Sequence, residues 1–208
     1  MFAVVTDGNI TSFPKGNKGI QIGDIQYPAA IYTLWSEAER NAIGVYTVVE
    51  DNTNKKDGDW YTNTNQTYAF GSGKVTATYG SATAKAIADK TWTQQNSDDG
   101  LMPSDKSVGD VKEEGLKTIK KRLIDRQCAG QLAPSDWRVI REQETGNAMD
   151  SGWKTWRASV RTKCNSMQTQ IDNASDVDAL ATLFTYTNTG TEENPVIERP
   201  LGEFPIKE

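Results

Sequence analysis

The sequence predicts an α+β protein: a small N-terminal antiparallel β-rich domain over residues 1–80, a helix and polar linker over 81–110, a helical subdomain over 111–187, and an extended tail over 188–208. Three observations lead there. In the first part, short runs of β-branched and aromatic residues alternate with turns rich in Gly, Asn and Asp, the pattern of small strands. In the second, large residues recur three or four positions apart, the spacing of one helix face. In the last, Pro195, Pro200 and Pro205 fall five apart, which no helix tolerates.

Phe2 to Val5 and Ile10 to Phe13 flank the pair Asp7-Gly8 and read as a hairpin. Ile20 and Ile22 form a third short strand, and Pro28 ends the extended stretch. Ser36 with Glu39 three residues on reads as a capping box opening a helix of about two turns. Gly44 stops it, and Val45 to Val49 is a strand. Residues 51–59 contain no hydrophobe and read as a loop. Trp60-Tyr61, Tyr68 to Phe70 and Val75 to Tyr79 then suggest an antiparallel meander. Gly71-Ser72-Gly73-Lys74 is a hairpin turn in this reading. A phosphate loop would need a further upstream glycine and a Ser or Thr after the lysine.

Ala82 to Trp92 is alanine-rich and favours helix by propensity. Gln94 to Gly109 is polar and reads as the linker. Asp110 with Glu113 suggests the cap of a helix carrying Leu116, Ile119 and Leu123, closed by Gly130. Ser135 sits at an N-cap position and Gly146 at a C′ position, bracketing the next helix. From Trp153, residues 156, 160, 164, 167 and 171 form one stripe of a longer helix reaching about Asn173. Ser175 with Asp178 starts a last one. Trp137, Trp153 and Trp156 fall on the apolar sides of these patterns and are expected to be mostly buried.

Composition narrows the chemistry. A hydrophobic content of 36% with mean hydropathy -0.64 marks a lean core, suited to an elongated chain or one completed by partner subunits. A net charge of -5 argues against nucleic acid as the main partner, and the run Lys117, Lys120, Lys121, Arg122, Arg126 reads as one solvated helix face. No apolar run reaches the roughly 18 residues of a membrane span, and MFAVVTDGN lacks the pattern of a signal peptide, so neither membrane nor secretion is expected. Cys128 and Cys164, the only two cysteines, read as buried reduced thiols.

With no histidine, a Ser-His-Asp triad, a Cys-His pair and a histidine metal site are excluded. Residues 51–59 lack the ligand alternation of a calcium loop. Carboxylate pairs such as Asp98-Asp99 and Glu113-Glu114 are sequence neighbours that do not converge on one site. No catalytic group, metal or cofactor is therefore expected.

Two stretches carry a resemblance. IQYPAAIYTLWSEAERNAIGVYTVVE, Ile25 to Glu50, resembles a module near the start of many tailed-bacteriophage virion proteins. LAPSDWRVIREQETGNAMDSGWKTWRASVR, Leu132 to Arg161, resembles the C-terminal helical element of phage tail-fibre assembly and tail-associated proteins. Its pattern falls on Leu132, Asp136, Trp137, Arg141, Thr145, Gly146, Trp153, Arg157 and Arg161. The sequence departs from that element at Asn147 to Gly152, where a proline often precedes the tryptophan.

What the resemblance implies is a non-enzymatic structural component of a bacteriophage tail, fibre or baseplate, made in the host cytoplasm and resident in the virion. Its partners would be other phage tail proteins, through Trp137, Arg141, Trp153, Trp156, Arg157 and Arg161 as structural or interface residues. One alternative is a tail-fibre assembly chaperone absent from the mature virion. Another is a glycan-binding tailspike-type protein using Trp60, Tyr61, Tyr68 and Tyr79. A homo-oligomer is expected, with Ala82 to Trp92 and the Leu116 helix as self-association elements.

Overall fold

The computed structural model describes residues 1–207 and divides into two compact units, Met1–Thr83 and a second beginning at Ala84. Strands dominate the first and helices the second, as an α+β class requires.

The first unit contains β1 (Phe2–Thr6), β2 (Asn9–Ser12), β3 (Ile20–Ile22), β4 (Ile25–Tyr27), α1 (Ile31–Leu34), α2 (Glu37–Ala42), β5 (Val45–Asp51), β6 (Tyr61–Thr62), β7 (Gln66–Gly71) and β8 (Lys74–Tyr79), with β9 (Thr83–Ala84) at its end. Local chemistry sets the turns. Asp7 and Gly8 both take positive φ, 50° and 77°, the geometry that matches the twist of two strands joined by a two-residue loop. Ser72 and Gly73 repeat it at 51° and 71°, so the GSGK segment is the β7–β8 hairpin turn. The Ser36–Glu39 capping box forms as the spacing predicts.

The main sheet runs β2-β1-β5-β8-β7. It is not wholly antiparallel: β5 and β8 pair in parallel, Val48 opposite Val75. The meander expectation holds for the antiparallel β7–β8 hairpin and fails for β6, which lies outside this sheet, while β8, with fully buried Val75 and Ala77, takes a central place and the more exposed β7 the edge. Strand alternation sends Ala3, Val48, Val75 and Ala77 to one face and Val4 and Val45 to the other, where Ile31 and Tyr32 cover them. The edge strands β2 and β7 approach each other, with Phe13 and Tyr68 rings 4.7 Å apart.

In the second unit, Ala82 to Trp92 is not helical. It is extended, with β10 (Lys90–Thr91) paired antiparallel to β11 (Val111–Glu113). Between them, α3 (Gln94–Asp98) belongs to an excursion closed at its base, where Trp92 N–H donates to Asp110 O (2.9 Å) and Gly109 N–H to Trp92 O (2.8 Å). The helix forecast fails because this backbone is engaged with α4 (Leu116–Leu132). Leu116 N–H donates to Ala86 O (2.9 Å), Lys117 N–H to Ile87 O (3.0 Å), Gly115 N–H to Asp89 Oδ1 (2.6 Å) and Thr118 Oγ1 to Asp89 Oδ2 (2.9 Å). Three otherwise orphaned backbone N–H groups at a helix start, and one hydroxyl, thus find partners about thirty residues upstream. The approach is so close that a Cβ on Gly115 would collide with the Ala88 carbonyl.

Asp110 and Glu113 therefore do not cap α4, and Gly130 lies inside it. After a 3₁₀ turn at Ala133–Ser135 come α5 (Asp136–Thr145), α6 (Ser151–Asn173) and α7 (Val177–Phe184). The cap of α7 is Asp176, one residue beyond the forecast Ser175, accepting from Ala179 N–H at 2.8 Å. The core joins Leu116, Ile124 and Cys128 of α4 to Val160, Cys164, Met167 and Ile171 of α6 and Val177 and Leu180 of α7. The Leu116 helix is thus a core element rather than a free self-association face, and the 82–92 segment is not a helix to associate. Both thiols are free and buried, and burial first, then Cys128 and Asp125, push the Cys164 thiol up to about 12, which disfavours the thiolate. The tail forms a hairpin, β12 (Thr187–Asn188) with β13 (Ile197–Glu198), and then runs back so that Leu201 is fully buried and its N–H donates to Leu183 O (3.1 Å).

The Asp89 brace is pH-sensitive. The bond from Gly115 N–H, then that from Thr118, holds the Asp89 carboxyl below its ordinary 3.8. A depressed carboxyl contributes stability above its unfolded value and loses it as pH falls through the folded value. The gap in melting temperature between wild type and Asp89→Asn should be largest near neutrality and close as the pH falls below 3.8. A gap that stays constant in calorimetry across that range would refute the brace.

Candidate functional site

The Leu132–Arg161 stretch builds the most distinctive feature of the second unit. Pro134 permits only a tight 3₁₀ turn between α4 and α5. Leu132 O, at the end of α4, takes two side-chain donors, one of them Ser135 Oγ. Arg157 of α6 supplies the other. Only 5% exposed, it donates from Nη1 to Leu132 O (3.0 Å) and to the fully buried Ser135 Oγ, and from Nη2 to Asp136 Oδ1 (2.7 Å). Ser135 stands at the N-cap position but makes no capping bond; its hydroxyl donates to Leu132 O at 2.8 Å. One guanidinium fork thereby ties together the end of α4, the turn and the start of α5.

The consequence is an inverted α5. Its attachments are polar: Asp136 to Arg157, and Glu142 Oε1 to Lys154 Nζ at 2.6 Å. The Lys154 hydrogen bond holds the Glu142 carboxyl below its ordinary value. No residue of α5 is buried, and its apolar side chains face outward, with Trp137 49%, Val139 42% and Ile140 56% exposed. The expectation that Trp137 is buried is thus corrected. The half-buried side of α5 is instead the one carrying Arg138 and Glu142, one turn apart. Gly146, at φ 70°, ends α5 in the left-handed conformation as expected.

Trp153 and Trp156 are half-buried rather than buried. They meet edge to face at 5.5 Å, and Trp156 Nε1 donates to Pro205 O at 2.9 Å, fastening the tail. Arg138 lies over both Trp137 (4.5 Å) and Trp153 (4.4 Å), and Lys207 Nζ lies 5.3 Å from the Trp153 ring. Beside this stack, a cavity of about 170 Å³ opens between α5 and the 147–150 loop, lined by Trp137, Arg138, Arg141, Asn147, Met149 and Asp150. Asp150 is committed to capping α6, accepting from Gly152 N–H (2.9 Å) and Trp153 N–H (3.3 Å). Among the described residues neither Arg138 nor Arg141 has a salt bridge, and Arg138 Nε is buried with no hydrogen-bond partner.

The structure therefore brings together Trp137, Arg141 and Trp153 around one exposed, electropositive and apolar surface. It buries Arg157 beneath that surface and leaves Arg161 exposed on α6. Sequence reading missed Arg138, whose only signal was its place directly after Trp137. The basic run on α4 is largely committed within the chain: Lys117 donates to Asp172 O, Lys121 pairs with Asp172, Arg122 with Glu114, and Lys120 lies over Phe184. In the first unit Trp60 is 8% exposed, while Lys56 and Lys55 lie over Tyr61 and Tyr79. Among the described residues no cluster of His, Cys, Asp or Glu could hold a metal ion, and no helix is long and apolar enough to cross a membrane.

Two substitutions test the architecture. Arg157→Ala removes the three guanidinium bonds and leaves Leu132 O and Ser135 Oγ with only their bond to each other, and should lower stability by about 2 kcal/mol in denaturant unfolding, with Arg157→Lys recovering only part because it lacks the fork. Trp156→Phe keeps an aromatic ring but removes the N–H to Pro205 and part of the indole's packing, costing about 1–2 kcal/mol and speeding proteolysis of residues 199–207. Unchanged unfolding in Arg157→Ala would overturn the role assigned to the guanidinium. No protein-family model, no curated protein and no solved structure matches this chain.

Proposed function

We propose that the chain is a non-enzymatic structural component of a bacteriophage tail, fibre or baseplate, working through subunit contacts, with α5 as its docking face. The observation that carries this reading is the inverted helix. A helix held by ion pairs and presenting Trp137, Val139 and Ile140 to solvent leaves apolar area that a lone chain gains nothing by exposing. Tryptophan beside arginine is the composition of interface anchors rather than of ordinary surface. The face lies within Leu132 to Arg161, the same stretch that resembles tail-associated proteins. The tailspike alternative draws less support, because Trp60 is buried and lysines lie over two of the remaining rings.

Mass spectrometry of purified particles of the phage encoding the chain tests the proposal. The chain should be present at fixed copy number. Its absence would overturn the structural reading in favour of an assembly chaperone, for which the same face would serve. Ile140→Asp should alter stability by less than about 0.5 kcal/mol, as exposed substitutions do, and yet abolish incorporation. Normal incorporation of that variant would refute α5 as the docking face.

A further inference from the structure

We infer that the surface on α5 is occupied by the acidic hairpin of a second copy of this chain, an inference that rests on the docking reading above. The receptor side is electropositive and apolar. Two guanidiniums, Arg138 and Arg141, face one carboxylate, Asp150, which already caps α6, and Arg138 Nε is a buried donor with no partner. Trp137 and Ile140 extend that surface with exposed apolar area. What would complete it is a carboxylate flanked by apolar side chains, because a buried donor without an acceptor is costly and a carboxylate offers the bidentate partner arginine prefers.

The same unit presents such an element elsewhere. The β12–β13 hairpin ends in Glu192-Glu193, both exposed and neither in a salt bridge among the described residues. Val196 and Ile197 beside them are 47% and 60% exposed. The tip is nevertheless held in shape. Thr189 N–H donates to Val196 O (2.8 Å), Thr191 N–H to Asn194 O (3.1 Å), and Asn188 Oδ1 accepts from both Gly190 N–H (3.0 Å) and Val196 N–H (2.9 Å). A turn braced in this way has little conformational freedom left to lose on binding. Acid with apolar flank thus meets base with apolar flank, and complementarity of this kind fixes partner and register. The two surfaces differ, so the contact is head-to-tail and closes into a ring when the rotation permits.

Light scattering of the full chain at tens of micromolar tests this, with Arg141→Glu, the double change Glu192→Lys with Glu193→Lys, and all three combined. Wild type should be an oligomer that dissociates as salt rises, since the contact is partly Coulombic. Either charge reversal alone should weaken association about tenfold or more, and the combination should restore it. A wild-type monomer, an oligomer indifferent to both reversals, or failure of the combined variant to recover would each overturn the hairpin contact. The outcomes separate from those for the docking reading. A monomer that still enters particles, and is excluded by Ile140→Asp, removes only the self-contact. A charge-sensitive oligomer missing from particles removes only the tail assignment.

Discussion

The second unit depends on one buried guanidinium. The end of α4 leaves a carbonyl to side-chain donors, the following turn buries a serine hydroxyl that donates to it, and α5 begins with an aspartate. Three acceptors converge where no apolar side chain could satisfy them. Arg157 meets all three because its donors form a rigid planar fork, which a lysine ammonium cannot imitate. Asp136 suits the arrangement a second time, since a negative charge at a helix start opposes the positive end of the backbone dipole. Its side chain is 54% exposed, so the ion pair is screened, and the weight of the junction falls on the two bonds to Leu132 and Ser135.

Orientation follows from this junction. Helices usually dock by burying an apolar stripe, and the stripe then becomes unavailable to anything else. Here no residue of α5 is buried, and Trp137 and Ile140, one turn apart, remain outside. The tail adds selectivity to what stays uncovered. Pro205 accepts from Trp156 and Lys207 lies over Trp153, while Trp137 stays half exposed with Arg138 stacked against it. Covering two aromatic residues and presenting the third keeps the open apolar area small, which limits non-specific association.

What was legible in the sequence was local. The Asp7-Gly8 and Ser72-Gly73 turns, the Ser36–Glu39 box and the Gly146 stop are each decided within a few residues, and each forms. What failed depended on partners far along the chain. The Ala82 to Trp92 segment has helical propensity, but Asp89 is drawn to Gly115, a separation of 26, and the carbonyls of Ala86 and Ile87 go to α4. Propensity differences of a few tenths of a kcal/mol per residue do not outweigh four donors at a helix start. The parallel β5–β8 pair was hidden because strand patterns give direction no signature. At the candidate site, periodicity grouped Trp137 with Trp153 and Trp156 and misjudged its exposure, because it counts apolar residues and does not tell which side of a helix is covered. Arg157 stood in the resemblance as an interface candidate, and nothing at its position announced that it would be buried.

Where association can occur also follows from how each unit closes its own surface. Sheet edges are the usual route to unwanted pairing. In the first unit the edge strands β2 and β7 approach, Phe13 stacking near Tyr68, so neither presents a flat free ladder. Other exposed apolar residues there, such as Ile25, Leu34 and Val49, lie on separate elements. In the second unit, Trp137 and Ile140 lie one turn apart on one helix, and Val196 and Ile197 lie on one braced hairpin. Contiguity on a rigid element is what allows apolar area to be buried without first ordering it. By that criterion α5 and the β12–β13 hairpin carry the apolar area best placed for the subunit contacts proposed above.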